Sequence, residues 1–152
     1  MKILKGDLIQ LALSGRFDVI IHGCNCFCSM GAGIAQQIKQ TFPPAFEADL
    51  QTDSGDRDKL GTYSRATVKI SKTPLTIING YTQYHYSGAP VMADYDAISA
   101  LFARVKMDFS GNKIGYPRIG AGLAGGDWKK IGKIIDQKLA GEDHKLVEFL
   151  KG

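Results

Sequence analysis

The stretch Phe17-Asp18-Val19-Ile20-Ile21-His22-Gly23, followed by Ser29-Met30-Gly31-Ala32-Gly33-Ile34-Ala35, decides the fold. Its compact, β-branched first part reads as a buried strand, and the glycine-rich second part opens an amphipathic helix. That helix is predicted over residues 31–42, with Ile34, Ile38 and Phe42 four apart and Pro43-Pro44 stopping it. Glycine allows positive φ and lets a ligand come close to the amides. The first N–H groups of a helix have no internal partner and carry the positive end of its dipole, so strand–glycine loop–helix is a phosphate cradle. A tight structural turn explains a single such loop equally well.

A second loop, Gly120-Ala121-Gly122-Leu123-Ala124-Gly125-Gly126-Asp127, repeats the arrangement between a short strand at 113–116 and a helix at 128–139. Two cradles at one sheet edge suit two phosphates. Two common nucleotide fingerprints do not fit. Gln36 stands where a dinucleotide-binding loop places its third glycine, and no Gly-Lys-Ser/Thr is present.

Working outward, strands are predicted at 1–5, 17–22, 62–70, 74–81, 113–116 and 145–150. Helical segments are predicted at 9–13, 31–42, 45–50, 95–109 and 128–139. Ile98, Leu101, Phe102 and Val105 share one helix face, as do Ile131, Ile134, Ile135 and Leu139. Alternating strands and helices imply an α/β fold with its sheet covered on both faces, antiparallel where 62–70 meets 74–81. No repeat or linker interrupts the pattern, so residues 1–152 read as a single domain.

Hydrophobic residues make up 44% of the 152 and charged residues 22%, which excludes a disordered chain. No apolar run reaches the length of a membrane span, and Lys2, Lys5 and Asp7 interrupt the start too early for a secretory signal. Three cysteines crowd between positions 24 and 28, too close to staple distant elements, which points to free thiols in the cytoplasm. The spacing of His22, Cys24, Cys26 and Cys28 is not that of paired zinc knuckles, so no metal and no cofactor are expected. The net charge of +4 is scattered, which favours anionic small molecules over a nucleic-acid groove. Nothing in the sequence fixes the oligomeric state.

Four motifs carry a resemblance. Gly6-Asp7-Leu8, His22-Gly23-Cys24-Asn25, Met30-Gly31-Ala32-Gly33-Ile34-Ala35 and Pro117-Arg118-Ile119-Gly120-Ala121-Gly122-Leu123 resemble the macrodomain family in order and spacing. Within it, the His-x-Cys-Asn-Cys stretch is similar to the branch of the fungal ADP-ribose-1''-phosphate phosphatase. The terminal ADP-ribose protein glycohydrolases share the two glycine motifs. The resemblance implies a three-layer α/β/α fold with a mixed sheet of roughly six strands, and a site for ADP-ribose or a derivative of it. It implies that Asp7, flanked by Gly6 and Leu8, accepts a hydrogen bond from the adenine amino group. Gly23, Cys24, Asn25 and the loop Ser29, Met30, Gly31, Ala32, Gly33 and Ile34 then hold the distal ribose and part of the diphosphate. Ile119, Gly120, Ala121, Gly122, Leu123, Ala124 and Gly125 wrap its other side, and Phe149 flanks adenine.

One departure bears on chemistry. Where the glycohydrolase branch carries a nucleophilic lysine after a threonine, Tyr81-Thr82-Gln83 has Gln83, and Ala124 replaces the acidic partner. An amide does not form the covalent sugar intermediate that an amine does. The candidate catalytic residues are then His22, at a strand end beside the first loop, and Asp127 after the second. Each has a second reading: His22 as a shaper of the loop, Asp127 as a helix N-cap. Asn79, Tyr84, His85 and Tyr86 lie near another strand end, either lining the pocket or packing. The readings that follow are a phosphatase for ADP-ribose 1''-phosphate, a binding module without turnover and, disfavoured by Gln83, a glycohydrolase.

Overall fold

The structure, a computed structural model, describes residues 1–149. Its elements run β1 (Lys2–Gly6), α1 (Leu8–Leu13), β2 (Val19–Cys24), α2 (Gly33–Thr41), α3 (Pro43–Leu50), a 3₁₀ turn (Arg57–Lys59), β3 (Tyr63–Ile70), β4 (Thr73–Tyr81), α4 (Tyr95–Phe109), β5 (Ile114–Tyr116), α5 (Trp128–Lys138) and β6 (His144–Phe149). Each predicted element forms, with ends shifted by a residue or two. Leu150, the last residue expected in the closing strand, lies outside the described residues.

The six strands make one mixed sheet in the order β1-β6-β5-β2-β4-β3. All neighbours are parallel except β3, which pairs antiparallel with β4 at the edge. β2 lies inside the sheet and reads as an unbroken apolar run because both its faces are covered. Val19 and Ile21 join Ile78 under Leu101, Phe102 and Val105 of α4 and Ile131 and Ile135 of α5. Ile20 and Ile77 face the other way, against Leu8 and Ile9 of α1, Ile38 of α2 and Ala45 of α3. The result is a three-layer α/β/α arrangement.

This topology positions a crevice. From β2 the chain leaves through α2 and α3 toward β3 and β4, whereas α4 carries it back across to β5. The loops after β2 and β5 therefore diverge at the boundary between these two strands, where open α/β sheets take ligands. Because β1, β6, β5, β2 and β4 are parallel, their C-terminal ends share this edge.

Candidate functional site

A cleft of about 620 Å³ opens at that boundary, a size within the range of about 300–1,000 Å³ usual for small-molecule sites. One wall is Gly23, Cys24, Asn25, Ser29 and the run 31–35; the facing wall is Pro117, Arg118, Ile119, Gly120, Gly122, Leu123 and Ala124. Most residues expected to bind the ligand are thus brought together.

The first wall offers unpaired backbone donors. Aspartates cap α1, α4, α5 and the 3₁₀ turn through Asp7, Asp94, Asp127 and Asp56, but Ala32 at the N-cap of α2 provides no side-chain bond. Among the described residues no acceptor takes the N–H groups of residues 31–35. Gly33 holds φ +60°, a conformation that aims this turn of backbone at the cleft, and its Cα faces the Leu123 side chain of the opposite loop. Asn25 shapes the approach from within: its Oδ1 accepts from the Phe27 N–H at 2.8 Å and its Nδ2 donates to the Ser29 carbonyl at 3.0 Å.

The second wall works differently from expectation. Its helix, α5, does not offer a bare N-terminus, because Asp127 caps it by accepting from the Lys129 N–H at 3.0 Å. The loop itself provides the donors: among the described residues the N–H groups of Gly122, Leu123 and Ala124 have no backbone acceptor, while Ala121, Gly125 and Gly126 bond within the turn. Gly125, at φ +70°, is pressed so closely on the Pro90 carbonyl that a Cβ there would collide.

The two candidate catalytic residues fall outside the cleft, and both expectations are corrected. Asp127 is exposed and serves as the α5 N-cap. Asp127→Ala is expected to destabilise the fold by about 1 kcal/mol, read by urea denaturation, with ligand affinity unchanged. His22 is 0% exposed. Strand alternation turns it, with Ile20, away from the cleft and toward α3. Its Nε2 bonds Asn79 Oδ1 at 2.7 Å. Asn79 Nδ2 donates to the Ala45 carbonyl at 2.8 Å and to Ser64 Oγ at 3.0 Å, which makes Oδ1 the acceptor and assigns the imidazole proton to Nε2. Burial pushes the His22 pKa down to about 4, against a smaller upward pull from Asn79, so the ring is neutral at physiological pH. Cys24 Sγ lies 3.7 Å from Nδ1 and 3.6 Å from Nε2. Near-equal distances place the sulfur over the ring face rather than along a lone pair, so no thiol–imidazole proton relay forms. Burial also raises the Cys24 thiol well above its ordinary pKa, which keeps it a poor nucleophile.

Other expected site residues lie elsewhere. Met30 is buried with Cys24, Cys26 and Tyr81, and Ala121 packs against the α4–α5 core. Gly6, Asp7, Leu8 and Phe149 sit beyond the cleft at the β1–β6 end of the same edge, where Gly6 pairs with Phe149. Leu8 is buried in the core, whereas Phe149 is 67% exposed. Cys28, at φ +54°, is anchored by donating from Sγ to the Asp49 carbonyl at 3.1 Å. Among the described residues no three His, Cys, Asp or Glu side chains converge as a metal site, and no helix is long and apolar enough to cross a membrane.

Three lining residues stand outside the expected set, Ala35, Pro117 and Arg118; Tyr86, read as either lining the pocket or packing, lines it, and so does Gln83, singled out only as a missing lysine. Tyr84 instead packs against Phe27 and donates to the Gly55 carbonyl. Among the described residues Arg118 is the one charged group that lines the cleft. It pairs with Glu148, so attraction for an anion comes chiefly from backbone N–H groups.

No protein-family model matches the chain. It is 39% identical over 142 residues to the uncharacterised 17.5 kDa protein of the tk-vs intergenic region of Enterobacteria phage T4, covering 90% of this chain and 88% of that protein. It is 25% identical to the ADP-ribose 1''-phosphate phosphatase of Candida albicans over 85% of this chain and 87% of that one. A DNA ADP-ribosyl glycohydrolase of Mycobacterium bovis is 26% identical over 83% of the chain, which spans only 35% of that protein's length. Among solved structures, a Bacteroides thetaiotaomicron protein of unknown function superposes with TM-score 0.82 at 26% identity, over 99% of both chains. The macrodomain of Thermus aquaticus DarG gives 0.73 at 20%, over 99% of this chain and 97% of that one. Thermosipho africanus DarTG in complex with ADP-ribose also gives 0.73, at 16%, over 99% of this chain and 42% of that one. These likenesses establish the macrodomain fold.

Proposed function

The chain belongs to the same family as the phage T4 17.5 kDa protein, a family with the macrodomain fold, and on that premise we propose that it binds ADP-ribose or an ADP-ribose derivative. One observation carries the reading: the uncapped N-terminus of α2 faces the free N–H groups of Gly122, Leu123 and Ala124 across the cleft. A diphosphate accepts hydrogen bonds from both sides and meets no carboxylate among the described lining residues. The base then lies toward Asp7 and Phe149, where Asp7 Oδ1 accepts from the Gln10 N–H. The relatives named for ADP-ribose chemistry support this ligand class. The three free cysteines suit a reducing, cytoplasmic setting.

The second reading, dephosphorylation of ADP-ribose 1''-phosphate, rests on the Candida albicans relative. Among the described residues the cleft is lined by no histidine, carboxylate or lysine, so this activity would proceed without the side chains that most often act as acid or base. Calorimetry with ADP-ribose is expected to give micromolar binding. A phosphate-release assay on ADP-ribose 1''-phosphate is expected to show turnover that is slow or undetectable. Absence of ADP-ribose binding at millimolar ligand overturns the proposal. Phosphate release at ordinary enzyme rates, about 1 s⁻¹ or faster, moves the protein to the phosphatase reading.

A further inference from the structure

The proposed diphosphate site leaves the sugar end of the ligand unassigned, and the hydrogen bonds of the lining side chains narrow the candidates. Asn25 has both ends of its amide committed to loop backbone. Arg118 is held by Glu148, and the Cys24 thiol lies over His22. Ser29 and Tyr86 carry hydroxyls free to rotate. Gln83 is different. Its Nε2 donates to the His85 carbonyl at 2.9 Å. A carbonyl only accepts, so this bond fixes which way the amide points.

Its other atom, Oε1, has no hydrogen bond among the described residues, and it is not among the buried oxygens without a partner, which are Asp49 Oδ2 and Thr82 Oγ1. It is therefore not sealed from solvent, and Gln83 lines the cleft. The backbone beneath is also held, by a bridge between Gln83 and Ala93. Gln83 is thus a fixed neutral acceptor in the cleft, beside loops that leave backbone N–H groups unpaired.

Its position matches this role. Gln83 follows β4, on the side of the two loops away from β1 and β6. A ligand with its base toward Asp7 and its diphosphate between the loops brings its second sugar to Gln83. A ribose offers hydroxyl donors there, and a fixed carbonyl oxygen is the complement a hydroxyl requires. Resting on the proposed ADP-ribose site, we infer that Gln83 is a specificity residue: its Oε1 accepts a hydrogen bond from a hydroxyl of the terminal ribose, so the cleft selects ADP-ribose over ADP.

The test is the ratio of ADP-ribose to ADP affinity, by calorimetry, in the wild type, Gln83→Leu and Gln83→Glu. One such bond corresponds to about three- to tenfold in this ratio. Gln83→Leu is expected to lose that factor. Gln83→Glu keeps an acceptor and is expected to retain the preference, even if its charge weakens both ligands together. An unchanged ratio in Gln83→Leu overturns the inference. So does loss of the preference in both variants, which assigns the effect to the Nε2 bond with His85. A wild type that binds neither ligand instead defeats the proposed ADP-ribose site, a separate failure.

Discussion

Ala32→Asp is expected to stabilise the protein while sharply weakening its ligand binding. Ala32 occupies the N-cap of α2 with φ −149° and ψ 158°, the extended geometry a capping residue adopts, yet it makes no side-chain cap. The position is exposed, so an aspartate fits without repacking. Its carboxylate would accept from the N–H groups left free at the start of α2 and would complement the helix dipole, for a gain of about 1 kcal/mol. In a chain of this length that corresponds to a rise in Tm of about 2–4 °C. The same carboxylate takes the donors offered to the diphosphate and sets a negative charge against it. ADP-ribose affinity is expected to fall on the order of a hundredfold or more, equivalent to about 3 kcal/mol. Ala32→Asn separates the two effects, since it competes for the same N–H groups without the charge and loses less. A variant that is more stable and still binds as the wild type does shows that the α2 N-terminus is not the anion site.

That helix also shows what the sequence makes legible. The glycine loop, the strand before it and the helix after it are local patterns, and each forms where its residues place it. Asp127 is legible for the same reason, because an aspartate one residue before a helix caps it whatever the rest of the chain does. His22 is a different case. Strand alternation ties it to the face of Ile20, but only the assembled sheet shows that this face packs on α3 while the cleft opens elsewhere. Its partner Asn79 stands opposite it through the β2–β4 register, a pairing between segments far apart in the chain. Gln83 and Tyr86 reach the cleft because the sheet order sets β4 beside β2; the resemblance drew attention to Gln83 for what it lacks, and the sequence left Tyr86 open between pocket and packing. Motifs within one loop are therefore readable, whereas residues delivered by strand order are at best narrowed to alternatives.

The buried histidine supports the second large prediction, a loss of stability in mild acid. In the folded state His22 resists protonation until about pH 4, whereas an exposed histidine takes its proton near 6.5. Between these values the unfolded chain binds a proton that the folded chain refuses, so lowering the pH favours unfolding. The contribution is intact above about pH 6.5 and is lost as pH falls toward 4, for about 3 kcal/mol in total. His144, also lowered by burial, acts in the same direction. Glu142 and Asp143 are lowered by their hydrogen bonds and enter only in the carboxylate range. Asp49 is raised by burial, next to Tyr81 and Lys59, and opposes the trend as it protonates. Urea denaturation at steps from pH 7 to 5 isolates His22 when the wild type is compared with His22→Gln. The glutamine amide still offers a donor toward Asn79 Oδ1 but carries no titrating proton. Its profile is expected to be flatter by most of one proton, with ADP-ribose affinity at pH 7 retained because His22 does not itself line the cleft and meets it only through the Cys24 sulfur packed on its ring. Equal slopes in the two proteins refute the burial argument. Loss of binding in a stably folded His22→Gln returns His22 to the site.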